Sequence, residues 1–330
     1  MLSAKAKIVW LYGVAIFFNL LISYGMLLYH QPFNVDGILY LQTAQVYLQQ
    51  GFHAAVQVYP WPFYSIILAE LTKLTHLSLL QNAYLFNAFI TSILVYAFLR
   101  LIAVCEGEFK HQVWGLLLLL LCPFLNHDRY NVLRDFGYYA FFTLSLVYYV
   151  RFWRDRTLSA AFFWQIFLYL ATLFRIEGFV LLGLLPFFAW YTSEPRAWSQ
   201  RIKDFLKLIW LGVFGLIFAL VLLPKFLDFG RLPYLISNLN LTALFALYQE
   251  KIQLLQRYIL DAYARDEATW FLAGGLVSTF IAEALAAFGL LPALFLIFMA
   301  IKKLIHIEKS VQQALIFYAL VIGLTLIVFL

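Results

Sequence analysis

Three short stretches of the sequence bring together side chains that could do chemistry. The first contains Asp36, the only acidic residue between Met1 and Glu70. The second, NHDRYNVLRD, and the third, FRIEG, contain Asp128, Arg129, Arg134, Asp135, Arg175 and Glu177. A carboxylate can take the proton of an acceptor hydroxyl, and an arginine can bind a phosphate through its planar fork of donors. These residue types favour chemistry in which an acceptor is activated and a phosphate leaves.

The composition places these stretches in a membrane protein. The chain has 64% hydrophobic and 12% charged residues and a mean hydropathy of +0.85, which lies far outside the range of soluble globular proteins. The net charge of +6 comes from basic residues in predicted short loops between spans, so it indicates orientation in a bilayer and no nucleic-acid partner. The apolar run from Ile8 to Tyr29 is longer than the core of a signal peptide, and we interpret it as the first span.

Helical crossings of about 20 apolar residues are predicted along the whole chain, which gives an all-α, polytopic fold. We place about nine crossings, at 8–29, 82–104, 112–126, 137–153, 159–174, 178–192, 208–224, 284–301 and 312–330. With a cytoplasmic N-terminus, most of the 23 Lys and Arg residues lie on the inner side, so the positive-inside rule favours this orientation. No repeat or hydrophilic linker divides residues 1–330, which are predicted to form a single integral membrane domain, most simply in a bacterial inner membrane.

In this orientation the outer face receives the long segment 30–81, the loop 126–136 and the turn around Arg175. The crossings 112–126 and 159–174 are short, so their outer ends would lie below the membrane surface and form a recess. A charge at membrane depth costs roughly 2.5–3.5 kcal/mol on insertion scales and is kept where it faces a partner or a watery cavity. The recess is therefore the predicted site.

The stretch FNVDGILYLQTAQVYLQQG follows the first span and predicts an amphipathic helix. Leu41, Ala44 and Leu48 form an apolar stripe at helical spacing beside a row of glutamines. We predict that this helix lies on the outer membrane surface. Asp36, at its start, has two compatible interpretations: an N-cap that accepts backbone N–H bonds, or a carboxylate that faces the recess. The segment 225–270 is likewise predicted to be an outer helical segment.

These features, in this order along the chain, resemble the GT-C class of membrane glycosyltransferases, in particular the branch of protein O-mannosyltransferases and lipid A aminoarabinose transferases. The resemblance covers roughly residues 8–190 and rests on FNVDGILYLQTAQVYLQQG, YPWPFYSIILAELTKL, NHDRYNVLRDFGYY and FRIEGFVLL. It implies a GT-C-like fold, a sugar donor linked to a polyprenyl phosphate and a catalytic acid at Asp36. It also implies a second catalytic acid at Asp135, with Asp128 as the competing choice. The chain departs from the family where Gly37, instead of a second acid, follows Asp36.

Asp36 is accordingly predicted to be a general base or a group that orients the acceptor, in a single displacement that inverts the anomeric carbon. The predicted substrate-binding residues are Arg134, Arg175, Asp128, Glu177, Trp61 and Tyr59. The arginines would bind the donor phosphate, or alternatively form structural salt bridges with Asp135 and Glu177. The two aromatic rings would stack on the sugar, or alternatively belong to an interfacial anchoring belt. His127 lacks a second His or Cys nearby, so neither a metal nor another cofactor is predicted.

Three functions of different classes follow from these predictions. The favoured one is transfer of a sugar from a polyprenyl-phosphate donor to a lipid, glycan or protein acceptor, with membrane lipids as further partners. A transporter or flippase of lipid-linked sugars would be expected to contain paired half-repeats with broken spans, and the two halves share no such pattern. A non-catalytic membrane subunit would not need charges clustered at the ends of short spans.

Overall fold

The computed structural model describes residues 3–29, 34–191, 197–222, 241–288 and 308–329. These ranges are helical and contain no strand, which confirms the predicted all-α fold class. The α-helices are α1 (Ala4–Tyr29), α2 (Val35–Gln50), α3 (Phe52–Val58), α4 (Phe63–Thr75), α5 (Leu79–Val104), α6 (Phe109–Leu120), α7 (Pro123–Asp128), α8 (Asp135–Asp155), α9 (Leu158–Phe174), α10 (Gly178–Leu184), α11 (Trp198–Leu222), α12 (Leu241–Tyr258), α13 (Ala268–Phe288) and α14 (Lys309–Phe329). Within the same ranges, Leu185–Trp190 and Ala262–Glu267 form 3₁₀ helices.

Two of the described helices contain a stretch that is long and apolar enough to cross a membrane. These stretches are Ala6–Leu28 in α1 and Leu79–Val104 in α5. Shorter apolar stretches are Leu158–Phe174, Gly178–Trp190 and Lys309–Gly323. The helices are consistent with membrane association, and the number of nine crossings stays a prediction.

The prediction of one helical crossing at 112–126 is wrong, because the chain breaks there. Helix α6 ends at Leu120, and α7 starts afresh at Pro123. Proline has no N–H to donate inside a helix, and it suits the first position of a new one. The side chain of Asn126 donates its Nδ2 hydrogen to the carbonyl of Leu120 at 2.7 Å, which satisfies a carbonyl left free at the end of α6.

Other predicted crossings differ from the described helices mainly at their ends. Helix α11 begins at Trp198, well before the predicted start at 208. The predicted crossing 178–192 consists of α10 followed by a 3₁₀ helix with Pro186 near its start, where a missing N–H is tolerated. The predicted crossing 284–301 lies outside the described residues, apart from 284–288 at the end of α13.

The first compact unit contains α1–α6, α8–α11 and most of α14. Its main core forms where α8 packs against α5 and α9. Within this core the hydroxyl of Tyr318 bonds both Trp164 Nε1 and Ser145 Oγ at 2.9 Å, so polar tips of buried side chains are satisfied. A second cluster, around Tyr40, Tyr59 and Tyr64, packs α2 and α4 against each other and joins them to the start of α5. This cluster packs beneath α2, whose first turn contains the predicted site residue Asp36.

The second compact unit contains α12, the 3₁₀ helix Ala262–Glu267 and α13. Gln256 Nε2 donates to the carbonyl of Arg265 at 3.0 Å, and the Tyr248 hydroxyl donates to the carbonyl of Thr269 at 3.3 Å. The prediction of helices in the segment 225–270 is confirmed from residue 241 onward, and its first part lies outside the described residues.

Candidate active site

The predicted charged site residues lie at the start of α2, in or beside the turn 129–134 that joins α7 to α8, and in the turn 175–177 between α9 and α10. The predicted aromatic residues, Tyr59 and Trp61, lie between α3 and α4. The Val132 N–H donates to Asn34 Oδ1 at the start of α2, at 3.3 Å. Arg175 donates to the carboxylate of Asp135, the first residue of α8. The fold therefore brings together stretches that are far apart in the sequence.

Two glycines permit this close approach. A Cβ atom on Gly37 would lie 2.4 Å from Asn34 Oδ1 and 3.0 Å from Val132 Cβ, both closer than van der Waals contact allows. A Cβ atom on Gly137 would lie 2.4 Å from the ring of Phe174. The glycine at position 37 thus has a steric reason, because a larger side chain there would push the turn away from α2.

Asp36 is exposed in the first turn of α2, and it is not the N-cap. The N-cap interpretation is wrong because Asn34 occupies that position and the helix begins at Val35. A carboxylate in the first turn is still favoured by the positive end of the helix dipole. Within the described residues no hydrogen bond or ion pair engages the oxygens of Asp36, so the carboxylate is available to a substrate.

The amphipathic pattern of α2 is confirmed, since Ala44 is buried while Gln42 and Gln45 are exposed. The buried face also contains Tyr40, whose ring packs edge-to-face on Tyr59 and Tyr64 at centroid distances of 5.6 and 5.4 Å. This face contacts other helices of the unit. The placement of α2 on a membrane surface stays a prediction.

Arg175 is paired with two carboxylates. Its Nη2 and Nε donate to Glu177 Oε1 at 2.7 and 3.3 Å, and its Nη1 donates to Asp135 Oδ1. Burial lowers the pKa of Arg175, but the bonds and charges of both carboxylates outweigh burial and raise it. Burial likewise raises the pKa of Glu177, and the Arg175 guanidinium outweighs it and holds that pKa below its usual value. For Arg175 the structure therefore contains the salt bridges that the sequence left as an alternative.

Arg134 has a different environment. It lies at the N-cap of α8 and is 8% exposed. Its guanidinium lies over the rings of Tyr59 and Tyr40, at 5.4 and 5.9 Å from their centroids, within the range of cation–π attraction. No carboxylate pairs with it in the described part of the chain, and its buried Nε lacks a hydrogen-bond partner there. A buried charge is normally paired, so Arg134 has unused capacity to bind an anion.

Asp128 ends α7 and is half-buried. Burial raises its pKa, which the 3.4 Å bond from Asn131 Nδ2 and the charge of His127 only partly offset. No arginine or lysine pairs with Asp128 among the described residues. Across the same residues there is no group of three or more His, Cys, Asp or Glu that could hold a metal. The expectation of a reaction without metal stays a prediction.

The predicted aromatic residues pack against other side chains of the protein. Tyr59 is 5% exposed and covers Arg134. Trp61 is half-buried, donates from Nε1 to the carbonyl of Thr172 at 3.1 Å, and packs edge-to-face on Phe179. The interfacial belt and stacking on a sugar both stay predictions for these two rings.

The sequence interpretation missed two residues that shape the site. Tyr40 lies four residues after Asp36, a spacing that places both on one side of α2 and could have revealed it. Asn87 donates from Nδ2 to the carbonyl of Asn131 at 3.0 Å and accepts from the Tyr64 hydroxyl at 3.0 Å. Asn87 is a polar residue inside the predicted crossing 82–104, and this position could have revealed its role.

Comparisons of the chain with models of protein families, with curated proteins and with solved structures gave no match. The resemblance to GT-C glycosyltransferases therefore stays a prediction. What the described residues establish is an exposed carboxylate, Asp36, in the first turn of α2, a buried guanidinium, Arg134, without a carboxylate partner among them, and an ion-pair cluster of Arg175, Asp135 and Glu177.

Proposed function

We propose that this chain is an integral membrane glycosyltransferase that moves a sugar from a polyprenyl-phosphate donor to an acceptor hydroxyl. The observation that carries the proposal is Arg134, a buried guanidinium without a carboxylate partner in the described residues. A buried cation becomes favourable when an anion pairs with it, and a donor phosphate would supply that anion. Asp36, one helical turn from the Tyr40 ring that covers Arg134, supplies the free carboxylate.

Each group has one step in the proposed reaction. Asp36 accepts the proton of the acceptor hydroxyl while the hydroxyl oxygen bonds to the anomeric carbon. The bond from that carbon to the phosphate oxygen breaks, and the phosphate keeps the electron pair. Arg134 stabilises the charge that develops on the released phosphate. A phosphate leaves without a proton, so no second carboxyl is needed as an acid, unlike in glycosidases, and direct displacement inverts the anomeric carbon.

The cluster of Arg175, Asp135 and Glu177 has a positioning role in this proposal. Two carboxylates already engage Arg175, so it could bind a phosphate only by giving one of them up. The bond to Asp135 holds the first turn of α8 against the end of α9. It thereby also holds Arg134, the preceding residue, at the site. Asp135 acts on catalysis through this geometry.

The proposed membrane arrangement has nine crossings, a cytoplasmic N-terminus and the site on the outer face of a bacterial inner membrane. The long apolar stretches of α1 and α5 and the distribution of basic residues support it. A polyprenyl donor is itself a membrane lipid. Its phosphate would lie at the membrane–water interface, beside the start of α2 and the turns 129–134 and 175–177. The acceptor would be a lipid, glycan or protein that presents a hydroxyl.

The substitution Asp36→Asn tests the proposal. Membrane vesicles with the wild-type chain should transfer label from at least one member of a panel of polyprenyl-phosphate sugars. We expect Asp36→Asn to lower the rate by about 10²–10⁴-fold, the usual contribution of a general base. Thermal unfolding should change little, because the side chain is exposed and caps nothing, and only its interaction with the helix dipole, about 0.3–1 kcal/mol, is lost.

A matched control is Glu70→Gln, which changes another exposed carboxylate of the same outer segment, paired with Lys73 and Tyr47. It should leave transfer unchanged. Transfer by Asp36→Asn at the wild-type rate, or no transfer of any donor in the panel by the wild-type chain, would contradict the proposal.

A further inference from the structure

A second buried arginine, Arg129, begins the turn that carries Arg134. It is 5% exposed. Its Nε donates to Asn126 Oδ1 at 2.8 Å, and its Nη1 donates to Asn19 Oδ1 at 2.7 Å and to Ser23 Oγ at 2.9 Å. The two edges of one guanidinium therefore connect the turn to the middle of α1.

Asn19 continues this connection from α1 to α5. It is fully buried, and its Nδ2 donates to Thr91 Oγ1 at 3.1 Å and to Ser92 Oγ at 3.0 Å. Both hydroxyls in turn donate to the carbonyl of Ala88, at 3.1 and 2.8 Å. A line of bonded polar groups thus joins the turn to α1 and α5, the described helices that contain stretches long enough to cross a membrane.

Burying these hydrogen-bonded polar groups so far from the end of α1 costs free energy. Asn19 lies about 15 Å before the end of α1 at Tyr29, given a rise of about 1.5 Å per residue. An arginine that reaches so far into an apolar helix pair must be desolvated. A neutral side chain could hold a turn at lower cost, but only a rigid guanidinium fork can bond Asn126 and two groups of α1 together.

We infer that Arg129 is a positioning residue for the phosphate site, because it holds the turn 129–134 on α1 and α5 and so sets where Arg134 lies. The inference rests on the proposed function for the identity of the ligand. The later part of the turn is held separately, by Asn87 on the carbonyl of Asn131 and by Asn34 on the N–H of Val132. Loss of Arg129 would therefore loosen one side of the turn and leave the other attached.

The experiment compares Arg129→Lys with the wild-type chain, both full length and in lipid nanodiscs. Lysine keeps the charge, but its donors share one nitrogen, so it cannot reproduce the separate Nε and Nη1 donors that reach Asn126 and α1 in a fixed geometry. Hydrogen exchange is measured over residues 126–134 without ligand. Affinity is measured for sugar-free polyprenyl phosphate, with polyprenol as the phosphate-free reference. We expect faster exchange and about tenfold weaker binding, comparable to the loss of one hydrogen bond to a charged group.

Two further variants test whether the change in exchange and affinity comes from the hydrogen bonds of Arg129. Ser23→Ala removes one of the hydrogen bonds that Arg129 makes to described residues and should shift exchange and affinity in the same direction by less. Arg156→Lys changes another buried arginine, which pairs with Asp204 at the opposite end of α8. It should lower the melting temperature and leave both the exchange of residues 126–134 and the affinity unchanged.

Unchanged exchange in Arg129→Lys and Ser23→Ala would overturn the inference, whatever the affinity. Faster exchange with wild-type affinity would overturn it as well, since the anchor would then have no effect on the site. No preference of the wild-type chain for polyprenyl phosphate over polyprenol would overturn the proposed function and, with it, the site that Arg129 is inferred to position. The exchange measurement needs no ligand, so the two failures are distinguishable.

Discussion

In the turn 175–177, Arg175 is paired with Asp135 and Glu177, whereas in the turn 129–134 Arg134 lies over two tyrosine rings without a carboxylate partner in the described residues. The pKa values of the carboxylates in or beside the two turns differ as well. The Arg175 guanidinium holds the pKa of Glu177 below its usual value, while burial raises the pKa of Asp128, which precedes the second turn. Among the described residues, Arg175 is therefore paired with carboxylates and Arg134 is not.

This difference distinguishes Arg175, whose ion pairs stabilise the fold, from Arg134, which is the candidate for ligand binding. Paired and hydrogen-bonded charges can stabilise a fold, whereas an isolated buried charge destabilises it. Natural proteins keep such destabilising groups mostly where function needs them. On this physical ground the turn with Arg134 is the better candidate for contact with a charged substrate, although both arginines looked equivalent in the sequence.

The largest expected difference between the two turns comes from exchanging each arginine for methionine. Arg134→Met should weaken binding of polyprenyl phosphate by about 10²-fold, the usual result of removing one partner of a buried charge pair. Its melting temperature should stay the same or rise, because an unpaired buried charge is replaced by an apolar side chain. Arg175→Met should lower the melting temperature, because it leaves Asp135 and Glu177 unpaired. Calorimetry and lipid binding on the same samples measure both quantities, and equal losses of affinity in both variants would show that the two arginines do not differ in phosphate binding.

A double-mutant cycle sharpens the structural role of Arg175. We expect Arg175→Ala to lower the free energy of unfolding by about 1–3 kcal/mol, less than for a fully buried pair because its side chain is 33% exposed. Adding Glu177→Ala should restore part of this loss, since one stranded carboxylate is removed while Asp135 remains. Denaturant unfolding in mild detergent gives the four values. A double variant as unstable as the sum of the single ones would show that Arg175 and Glu177 do not stabilise each other.

The smallest expected effects are pH-dependent and of opposite sign in the two turns. The pKa of Glu177 is lowered from 4.5, so its charge stabilises the fold above about pH 4.5 and this contribution is lost as the pH falls through the lowered value. The pKa of Asp128 is raised from 3.8, so its charge destabilises the fold at neutral pH and this cost disappears as the pH falls toward 3.8. At pH 7, Glu177→Gln should therefore be slightly less stable than wild type and Asp128→Asn slightly more stable. Melting temperatures between pH 3 and 8 measure this, and a shift of the same sign in both variants would contradict it.

Much of the fold could be predicted from hydrophobic pattern and length. The helices α1, α5, α8 and α9 contain their predicted crossings, and the glutamine stripe of α2 is exposed as expected. The break between α6 and α7 was missed because hydropathy does not distinguish one long apolar helix from two short ones. Pro123 was the available signal.

The site was predicted less well, because its contacts join residues far apart in the chain. The sequence placed Asp36, Arg134 and Arg175 in outer turns but could not determine which arginine meets a carboxylate. That outcome depends on the packing of α8 against α9 and on Gly37, which lets the turn 129–134 approach α2. Neither the separation of α8 and α9 nor that of the turn 129–134 and α2 can be read from sequence spacing alone.

The position of Arg134 over two tyrosine rings has a kinetic consequence. An arginine that rests in an ion pair must first break that pair before an incoming phosphate can bind, and this step would slow association. The ring faces of Tyr40 and Tyr59 attract the cation without occupying its N–H donors. Under the proposed function, a donor phosphate would therefore pair with Arg134 without first displacing a carboxylate of the described residues, and its association would not wait for an ion pair to open.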